Sequence, residues 1–204
     1  EIAKKFAPTK TTVVQNFPRL NELHIDEPVP FKNRSPKFFY VGGISPVRAF
    51  REPIEAVWKI NNGFNVDIQD RPVMLSICGD FRPPGLMREA ESLKGWEYVI
   101  FHGWCDREQV KRELGEAVGG LVLFYDAPNN VNSQPNKLFE YMASGIPVIA
   151  SNFSFWEKII KKHECGITVD PTDIIQIESA MKKLIDNRDT AERMGNNGKE
   201  AVKK

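Results

Sequence analysis

The sequence predicts an α/β protein: a Rossmann-like, doubly wound parallel sheet of about six strands with helices on both faces. Short apolar segments alternate along the chain with segments of helical periodicity, as in parallel sheets whose strands are joined by crossover helices. Some apolar segments, such as IPVIA at 146–150, lack polar alternation and are typical of strands covered on both faces. Glycines follow several of them and mark the strand exits, where such sheets bind ligands.

The elements can be placed in order. A short strand is expected at residues 11–15 (TTVVQ), followed by a linker rich in proline and mixed charges. The predicted strands after it are residues 37–41, 73–78, 98–101, 121–125, 146–150 and 167–169. The predicted helices are residues 47–61, 86–93, 107–118, 136–144, 154–163, 173–187 and 190–203. Pro53 is expected to kink the first helix, Asp106 to cap the third, and residues 170–172 to cap the helix near 173.

Composition excludes several classes of partner. The 204 residues are 41% hydrophobic and carry 28 Lys and Arg against 27 Asp and Glu, a formal net charge of +1. This balance gives no electrostatic reason to expect nucleic acid or an anionic membrane as the main partner. No apolar run approaches the roughly 18–20 residues of a membrane span.

The cysteines and histidines give no sign of a metal site. Cys78, Cys105 and Cys165 are widely spaced, with no CxxC pair and no histidine at ligand spacing. An odd, scattered set predicts reduced thiols in a cytoplasmic protein, with Cys78 packed in the core. We expect neither a metal nor a cofactor.

Residues 136–151 (NKLFEYMASGIPVIAS) predict a short helix, a stop at Gly145 and a buried strand. Helical spacing places one group of side chains on an apolar side, namely Leu138, Phe139, Met142 and Ala143. The other side carries Lys137, Glu140, Tyr141 and Ser144. A cation and an anion therefore lie one turn apart near the helix start. Spacing alone leaves two interpretations open, an exposed Lys137–Glu140 pair or a binding site.

Four strand exits could hold a ligand: Gly42-Gly43, Gly79-Asp80, Gly103-Trp104 and the loop at 129–135. Glycine permits tight turns and close approach of the backbone to a ligand. However, the dinucleotide pattern GxGxxG fails after Gly42, and no GxxxxGK[ST] segment exists. We therefore expect no nicotinamide or ATP site of those types.

The order and spacing of these segments resemble the C-terminal, donor-binding domain of GT-B-fold retaining glycosyltransferases. FFYVGGISPVRAF (38–50), SICGDF (76–81) and VIFHGWCDREQV (99–110) resemble three of the family's turns. The most specific match is PNKLFEYMASGIPVIAS (135–151), which is similar to segments of enzymes that build bacterial polysaccharides. The resemblance covers about residues 37–200.

The resemblance implies roles for individual residues. Glu140 corresponds to the glutamate that binds the ribose hydroxyls of the donor, and a carboxylate can accept both bonds of a vicinal diol. Arg48 and Lys137 are expected to contact the diphosphate and to act in catalysis, beside a helix start that favours anions. The other residues expected to bind the nucleotide-sugar are Gly42, Gly43, Trp104, Asn132, Ser133, Gln134, Asn136 and Leu138.

Two positions depart from the family pattern. Asn132 stands where the common family version has the first glutamate of an E-x7-E pair, which weakens assignment of the sugar. Gly43 stands where the family has a phosphate-binding arginine, whereas Arg48 matches its second basic residue. Residues 132–136 could also only cap the helix, Trp104 could belong to the core, and Arg48 could be a solvated first-turn residue.

The implied function is transfer of a sugar, with retention of configuration, from a UDP- or GDP-linked donor to a glycan or lipid-linked acceptor. We expect residues 1–34 to be a remnant of an N-terminal domain and linker, residues 35–204 to be the donor domain, and the chain alone to be inactive. The parent enzyme is expected in the cytoplasm, with at most peripheral association at the inner face of the membrane. The alternatives are a non-catalytic nucleotide or sugar-nucleotide binding module and a sugar-nucleotide 2-epimerase with the same fold.

Overall fold

The structure, a computed structural model, describes residue 25 and residues 28–63 and 71–203. Within these ranges the strands are β1 (Lys37–Val41), β2 (Met74–Cys78), β3 (Val99–Gly103), β4 (Gly119–Val122), β5 (Val148–Ser151) and β6 (Gly166–Val169). The helices are α1 (Arg51–Asn62), α2 (Gly85–Glu91), α3 (Arg107–Glu116), α4 (Pro128–Val131), α5 (Asn136–Ala143), α6 (Ser154–His163), α7 (Ile174–Asp186) and α8 (Arg188–Ala201). Single 3-10 turns cover Phe31–Asn33 and Lys94–Tyr98. The strand predicted at 11–15 lies outside the described residues.

The six strands form one sheet in the order β3-β2-β1-β4-β5-β6, and all neighbouring strands are parallel. The chain therefore moves outward from β1 on one side and then returns to add β4 on the other. This arrangement confirms the predicted doubly wound, Rossmann-like sheet. The strand order reverses between β1 and β4, and the carboxyl ends of these strands border the crevice where such sheets bind ligands.

The core covers both faces of the sheet. Phe38 and Phe39 are adjacent in β1 and fully buried, and they belong to separate apolar clusters because successive strand residues point to opposite faces. Phe38 shares its cluster with Ile54 of α1, and Phe39 shares the other with Trp156 of α6. Helices therefore cover the sheet on both sides, as the runs without polar alternation predict.

Helix α1 begins at Arg51, four residues later than predicted. Residues 45–49 instead form a turn, in which the Arg48 N–H donates to the Ser45 carbonyl and the Ala49 N–H donates to the Leu123 carbonyl. Pro53 therefore lies in the first turn of α1, where a missing N–H costs no helical hydrogen bond. The predicted kink was wrong.

The helix caps agree with the sequence at one of two positions. Asp106 caps α3 as predicted, and its side chain accepts a hydrogen bond from the Gln109 N–H at 2.7 Å. The cap of α7 is Asp173, which accepts from two backbone N–H groups of the first turn. Asp170 instead closes its own small turn by accepting from the N–H of Thr172. Residues 170–172 precede the cap rather than form it.

Cys78 and Cys105 form a disulfide, with their Cα atoms 5.6 Å apart. The prediction of three reduced thiols was therefore wrong for this pair. Cys78 ends β2 and Cys105 follows the neighbouring strand β3, so a crossover of 27 residues hides their proximity in the sequence. Cys165 is a free, buried thiol, and burial raises its pKa to about 11.

Within the described part of the chain, no helix is long and apolar enough to cross a membrane. Nor do residues 25, 28–63 and 71–203 bring three or more His, Cys, Asp or Glu side chains together in a group that could hold a metal ion.

Candidate functional site

Glycine turns form the edge of the sheet at the ends of β1, β2 and β3. The Gly42 N–H donates to the Cys78 carbonyl, and the Gly79 N–H donates to the Gly103 carbonyl. Gly42, Gly79 and Gly103 all have positive φ angles, and a Cβ atom at Gly79 would lie 2.1 Å from the Gly42 carbonyl oxygen. A side chain is thus excluded at Gly79, where the turn after β2 passes the turn after β1.

Lys137 lies above the first of these turns. It is the second residue of α5, whose start has no side-chain cap, and a Cβ atom on Gly42 would lie 3.5 Å from Lys137 Nζ. The ammonium stands 3.7 Å from the centroid of the Tyr40 ring and 5.3 Å from that of Phe124. Aromatic faces attract cations without neutralising them.

Arg48 reaches the same place from the turn before α1. Its guanidinium carbon lies 3.5 Å from the centroid of the Phe124 ring, and its Nη1 donates to Asn130 Oδ1 at 3.0 Å. Arg48 and Lys137 therefore share one aromatic ring. Arg48 is half-buried rather than a solvated first-turn residue.

The two cations of this site have no salt bridge to a carboxylate in the part of the chain that the structure describes. Among the described residues, neither Arg48 nor Lys137 has a carboxylate within 4.0 Å. Burial lowers the pKa of Lys137 well below its usual value, and repulsion by Arg48 lowers it further, whereas Glu140 acts in the opposite direction. Burial also lowers the pKa of Arg48. An anion placed here would relieve an electrostatic cost that the fold already carries.

Glu140 faces the same crevice but pairs with Arg107. Its Oε1 lies 3.3 Å from Arg107 Nη1, and the Glu140 side chain is only 15% exposed. The structure contains no Lys137–Glu140 salt bridge, so the interpretation of these two residues as an exposed ion pair was wrong. Arg107 begins α3 directly after the exit of β3, and Glu140 thus lies between the exits of β1 and β3.

The predicted two-sided division of α5 holds only in part. Tyr141, assigned to the polar side, is fully buried, and its hydroxyl accepts a hydrogen bond from the Val41 N–H at 3.0 Å. Phe139, assigned to the apolar side, is half-buried. The ring of Tyr141 fits because β4 carries Gly120, where a Cβ atom would lie 2.3 Å from that ring. A short helix above a sheet can therefore bury more than one side.

Trp104 follows β3 and is 76% exposed. The alternative that it belongs to the core is therefore excluded. An exposed indole beside glycine turns offers a flat apolar surface, on which a planar group can stack.

The loop before α5 is partly structural. Ser133 donates through its hydroxyl to the Asn130 carbonyl, and the Ser133 carbonyl accepts from Trp156 Nε1 at 2.7 Å. Asn132 and Asn136 are exposed, and Gln134 is half-buried. None of these side chains provides a cap hydrogen bond to α5.

Leu138 does not contribute a side chain to the site. It is fully buried, and its N–H donates to the Pro135 carbonyl. Its role as a contact of the nucleotide-sugar stays a prediction, and its side chain packs in the core under the helix start.

Sequence reasoning missed Tyr40, Phe124, Asn130 and Arg107. The two aromatic residues lie in or next to strands, so their pattern predicted core packing. Asn130 is one of three asparagines within four positions, and nothing in the sequence distinguishes it from its neighbours. Arg107 is an exposed residue directly after the cap of α3, where a charged side chain is common.

A separate cavity of about 290 Å³ lies between residues 28–34, the end of α5 and α8. Its lining includes Arg34, Ser144 and Lys199 but none of the predicted site residues.

The family model described as glycosyl transferases group 1 matches residues 22–201. No curated protein sequence matches the chain.

Solved structures of low sequence identity share the fold. One is the C-terminal domain of a glycosyl transferase group 1 family protein, LpcC, from Francisella tularensis, with 20% identity, a TM-score of 0.65, and coverage of 82% of this chain and 84% of that one. The HepE protein of Anabaena, solved with UDP, has 14% identity, a TM-score of 0.74, and coverage of 98% and 55%. A TarM variant from S. aureus, solved with fondaparinux, alpha-GlcNAc-glycerol and UDP, has 16% identity, a TM-score of 0.72, and coverage of 98% and 38%.

The chain thus spans most of the isolated LpcC domain but only about half, or less, of the other two proteins. The match of the family model extends over nearly the whole sequence. The chain belongs to the group 1 glycosyltransferases and has the fold of a C-terminal domain of that family.

Proposed function

We propose that this chain binds the nucleoside diphosphate part of a nucleotide-sugar, and that the protein to which it belongs transfers the sugar to a glycan or lipid-linked acceptor with retention of configuration. The observation that carries the proposal is the pair of cations, Arg48 and Lys137, which contact one aromatic ring at the switch point of the sheet and have no carboxylate within 4.0 Å among the described residues. A diphosphate is an anion of suitable size and charge for two adjacent cations.

In this proposal the site stabilises the leaving group. Negative charge develops on the diphosphate as its bond to the sugar breaks, and fixed cations in a partly dry site stabilise that charge most. The positive charge that faces the diphosphate comes from Arg48, Lys137 and the uncapped start of α5. Glu140 binds the ribose hydroxyls, with Trp104 beside the base. We propose no metal and no separate general base.

The relatives support a uridine donor first. HepE has been solved with UDP and with UDP-glucose, and TarM with UDP. We propose UDP- or GDP-linked donors for this protein, used in the cytoplasm with at most peripheral association at the inner face of a membrane. The cysteines give no support to this location, because Cys78 and Cys105 form a disulfide.

A ligand screen by thermal unfolding tests the binding proposal. UDP, GDP, ADP and CMP would be added in turn, and a ligand at 100 times its Kd stabilises the folded protein by about 2.7 kcal/mol. We expect UDP or GDP to raise the midpoint temperature of unfolding, and we expect uridine or guanosine to raise it less at equal concentration. Absence of any shift with all four nucleotides at millimolar concentration would contradict the proposal.

Arg48→Ala is expected to weaken binding of UDP more than binding of uridine. Loss of a charge-assisted contact to phosphate costs roughly 1.5–3 kcal/mol, whereas the nucleoside lacks the contact. Calorimetric titration of both ligands measures the difference. Arg112→Ala, a change at an exposed arginine of α3, is the control and should leave both affinities unchanged. Equal losses for both ligands would place Arg48 away from the phosphates.

Glu140→Gln is expected to weaken nucleotide binding with little change in stability. The amide keeps the shape but replaces a charged acceptor by a neutral one, which suggests a loss on the order of 1–2 kcal/mol, or roughly tenfold in Kd. A 2′,3′-dideoxy nucleotide should bind wild type and variant about equally, because its sugar lacks the partner hydroxyls. An unchanged affinity for the normal nucleotide would exclude the ribose role.

Binding of UDP is expected to weaken as pH rises through the lowered pKa of Lys137. In the free protein, burial and then Arg48 lower this pKa, whereas a bound diphosphate favours the ammonium and raises it. The complex therefore holds more protons than the free protein, and affinity falls with increasing pH. Titrations in buffers with different ionisation enthalpies would detect the proton uptake. The uptake should disappear in Lys137→Met, and its persistence there would assign it to another group.

A further inference from the structure

Asn130 is a buried polar residue beside the cation pair. Only 5% of its surface is exposed, and a buried amide is costly unless its donors and acceptor are used. Its Nδ2 donates to the Tyr125 carbonyl at 2.9 Å and to the Val47 carbonyl at 3.3 Å. Its Oδ1 accepts from Arg48 Nη1 at 3.0 Å. Every polar atom of the side chain therefore has a partner.

These partners fix the direction of the amide. A carbonyl can only accept, so the NH2 group must face Val47 and Tyr125, and the oxygen must face Arg48. The guanidinium of Arg48 is then held from two sides, by the face of Phe124 at 3.5 Å and by the edge contact with Asn130. An arginine side chain held in this way has lost much of its rotamer freedom before a ligand arrives.

The backbone of Asn130 is anchored as well. Its N–H donates to the Ala127 carbonyl at 2.7 Å, and its carbonyl accepts from both the N–H and the hydroxyl of Ser133. Ser133 is in turn bound by the indole of Trp156, a fully buried residue of α6. The loop between β4 and α5 is therefore tied to the core at the point from which Asn130 reaches Arg48.

A neutral acceptor suits this position. A carboxylate in place of the amide would neutralise Arg48, whereas no acceptor at all would let Arg48 move away from Lys137, since like charges repel. We infer that Asn130 is a positioning residue: it holds the guanidinium of Arg48 beside Lys137 and leaves both positive charges for a diphosphate. Its role towards the ligand rests on the proposed function, whereas its hold on Arg48 does not.

The hold on Arg48 can be tested without a ligand. In the wild-type chain, 15N NMR should show slow rotation and a distinct resonance for the Arg48 guanidinium, with Arg48→Ala giving the assignment. In Asn130→Ala the Arg48 guanidinium should rotate faster, and its distinct resonance should be lost by averaging. Asn129→Ala, at the exposed neighbour in the same short helix, should leave it unchanged. An unaltered Arg48 signal in Asn130→Ala would overturn the inference.

The effect of Asn130 on ligand binding is tested by comparing the affinities for UDP and for uridine. Asn130→Ala should lower affinity for UDP by about fivefold to tenfold and change affinity for uridine by less than about twofold, because only the diphosphate meets Arg48. In the Arg48→Ala background the same change should add no further loss. A general loosening of the fold would reduce both affinities in both backgrounds, and that result would also overturn the inference.

Asn130→Asp provides a second variant if Asn130→Ala does not fold. Its carboxylate can still accept from Arg48, so the NMR signal should stay distinct, although the two bonds that Nδ2 donates to the Tyr125 and Val47 carbonyls are lost. Affinity for UDP should fall because the added carboxylate offsets the positive charge of the guanidinium. Full affinity for UDP in this variant would overturn the inference. A wild-type chain that binds UDP no better than uridine would contradict the proposed function, while the NMR comparison would still decide whether Asn130 holds Arg48.

Discussion

Lys137→Met is expected to lower affinity for UDP while it raises the stability of the free protein. The ammonium lies between the rings of Tyr40 and Phe124, near a second cation and without a salt-bridge partner in the described part of the chain. Its removal relieves the cost of a half-buried charge that repels Arg48 and has no salt bridge among the described residues, so the free energy of unfolding should increase. The same removal takes away a desolvated contact with the diphosphate, which should cost about 2–4 kcal/mol of binding free energy.

The opposite signs make this prediction specific. Chemical denaturation of the ligand-free protein measures the first effect and calorimetry with UDP the second. Lys158→Met, a change at an exposed lysine of α6, should affect neither quantity by more than about 0.5 kcal/mol. A Lys137→Met protein that is less stable than wild type would indicate that the lysine supports the fold, and an unchanged Kd would remove it from the binding site.

The sequence predicted the architecture well because a parallel sheet leaves a strong pattern. Each strand is a short apolar run, and each connection includes a helix with its own periodicity. The largest shift of a strand is at β4, which the structure places at Gly119–Val122 rather than at residues 121–125. Glycines carry no apolar signal, and at Gly120 glycine is required because the ring of Tyr141 fills the space of a side chain.

The sequence predicted the charged residues of the candidate site but not the residues that hold them in place. The resemblance pointed to Arg48, Lys137 and Glu140, and the structure brings the two cations together and Glu140 nearby. The partners of these residues could not be predicted. The hydrogen bond between Asn130 and Arg48 joins residues 82 positions apart, and such a contact follows from topology and not from local sequence.

The disulfide and a buried ionic cluster at β1 could not be predicted from local sequence either. Lys37, the first residue of β1, is 8% exposed, and its Nζ lies 2.9 Å from Glu113 Oε2 and 2.6 Å from Glu116 Oε2. Glu113 also accepts from the Ser76 hydroxyl at 2.8 Å, and His102 Nε2 lies 3.4 Å away. Neither Lys37 nor Glu113 differs in the sequence from an ordinary surface residue.

Lys37→Met is therefore expected to destabilise the protein by about 3–5 kcal/mol, because it leaves the 7%-exposed Glu113 as a buried charge without its main partner. Lys161→Met breaks an exposed pair with Glu157 on α6 and should cost at most about 1 kcal/mol. Denaturant unfolding of both variants measures the difference. The double variant Lys37→Met with Glu113→Leu should recover much of the loss, since an apolar pair can replace a buried ion pair.

The pH dependence identifies the cause of this destabilisation. In the wild type, burial opposes the charge on Glu113, but hydrogen bonds from Lys37 and Ser76 outweigh it and lower the pKa. Burial likewise opposes the charge on Lys37, and its hydrogen bonds with Glu116 and Glu113 outweigh that effect and raise the pKa. The contribution of Glu113 to stability is therefore lost as pH falls through its lowered pKa, and that of Lys37 is lost as pH rises through its raised pKa.

In Lys37→Met, burial of Glu113 is no longer offset by Lys37, so the pKa of Glu113 should rise and the variant should become more stable, relative to wild type, in acid. The difference in unfolding free energy between wild type and Lys37→Met should consequently shrink as pH falls from 7 towards about 4. A difference that stays constant over this range would mean that the methionine destabilises by poor packing and not by leaving a buried carboxylate unpaired.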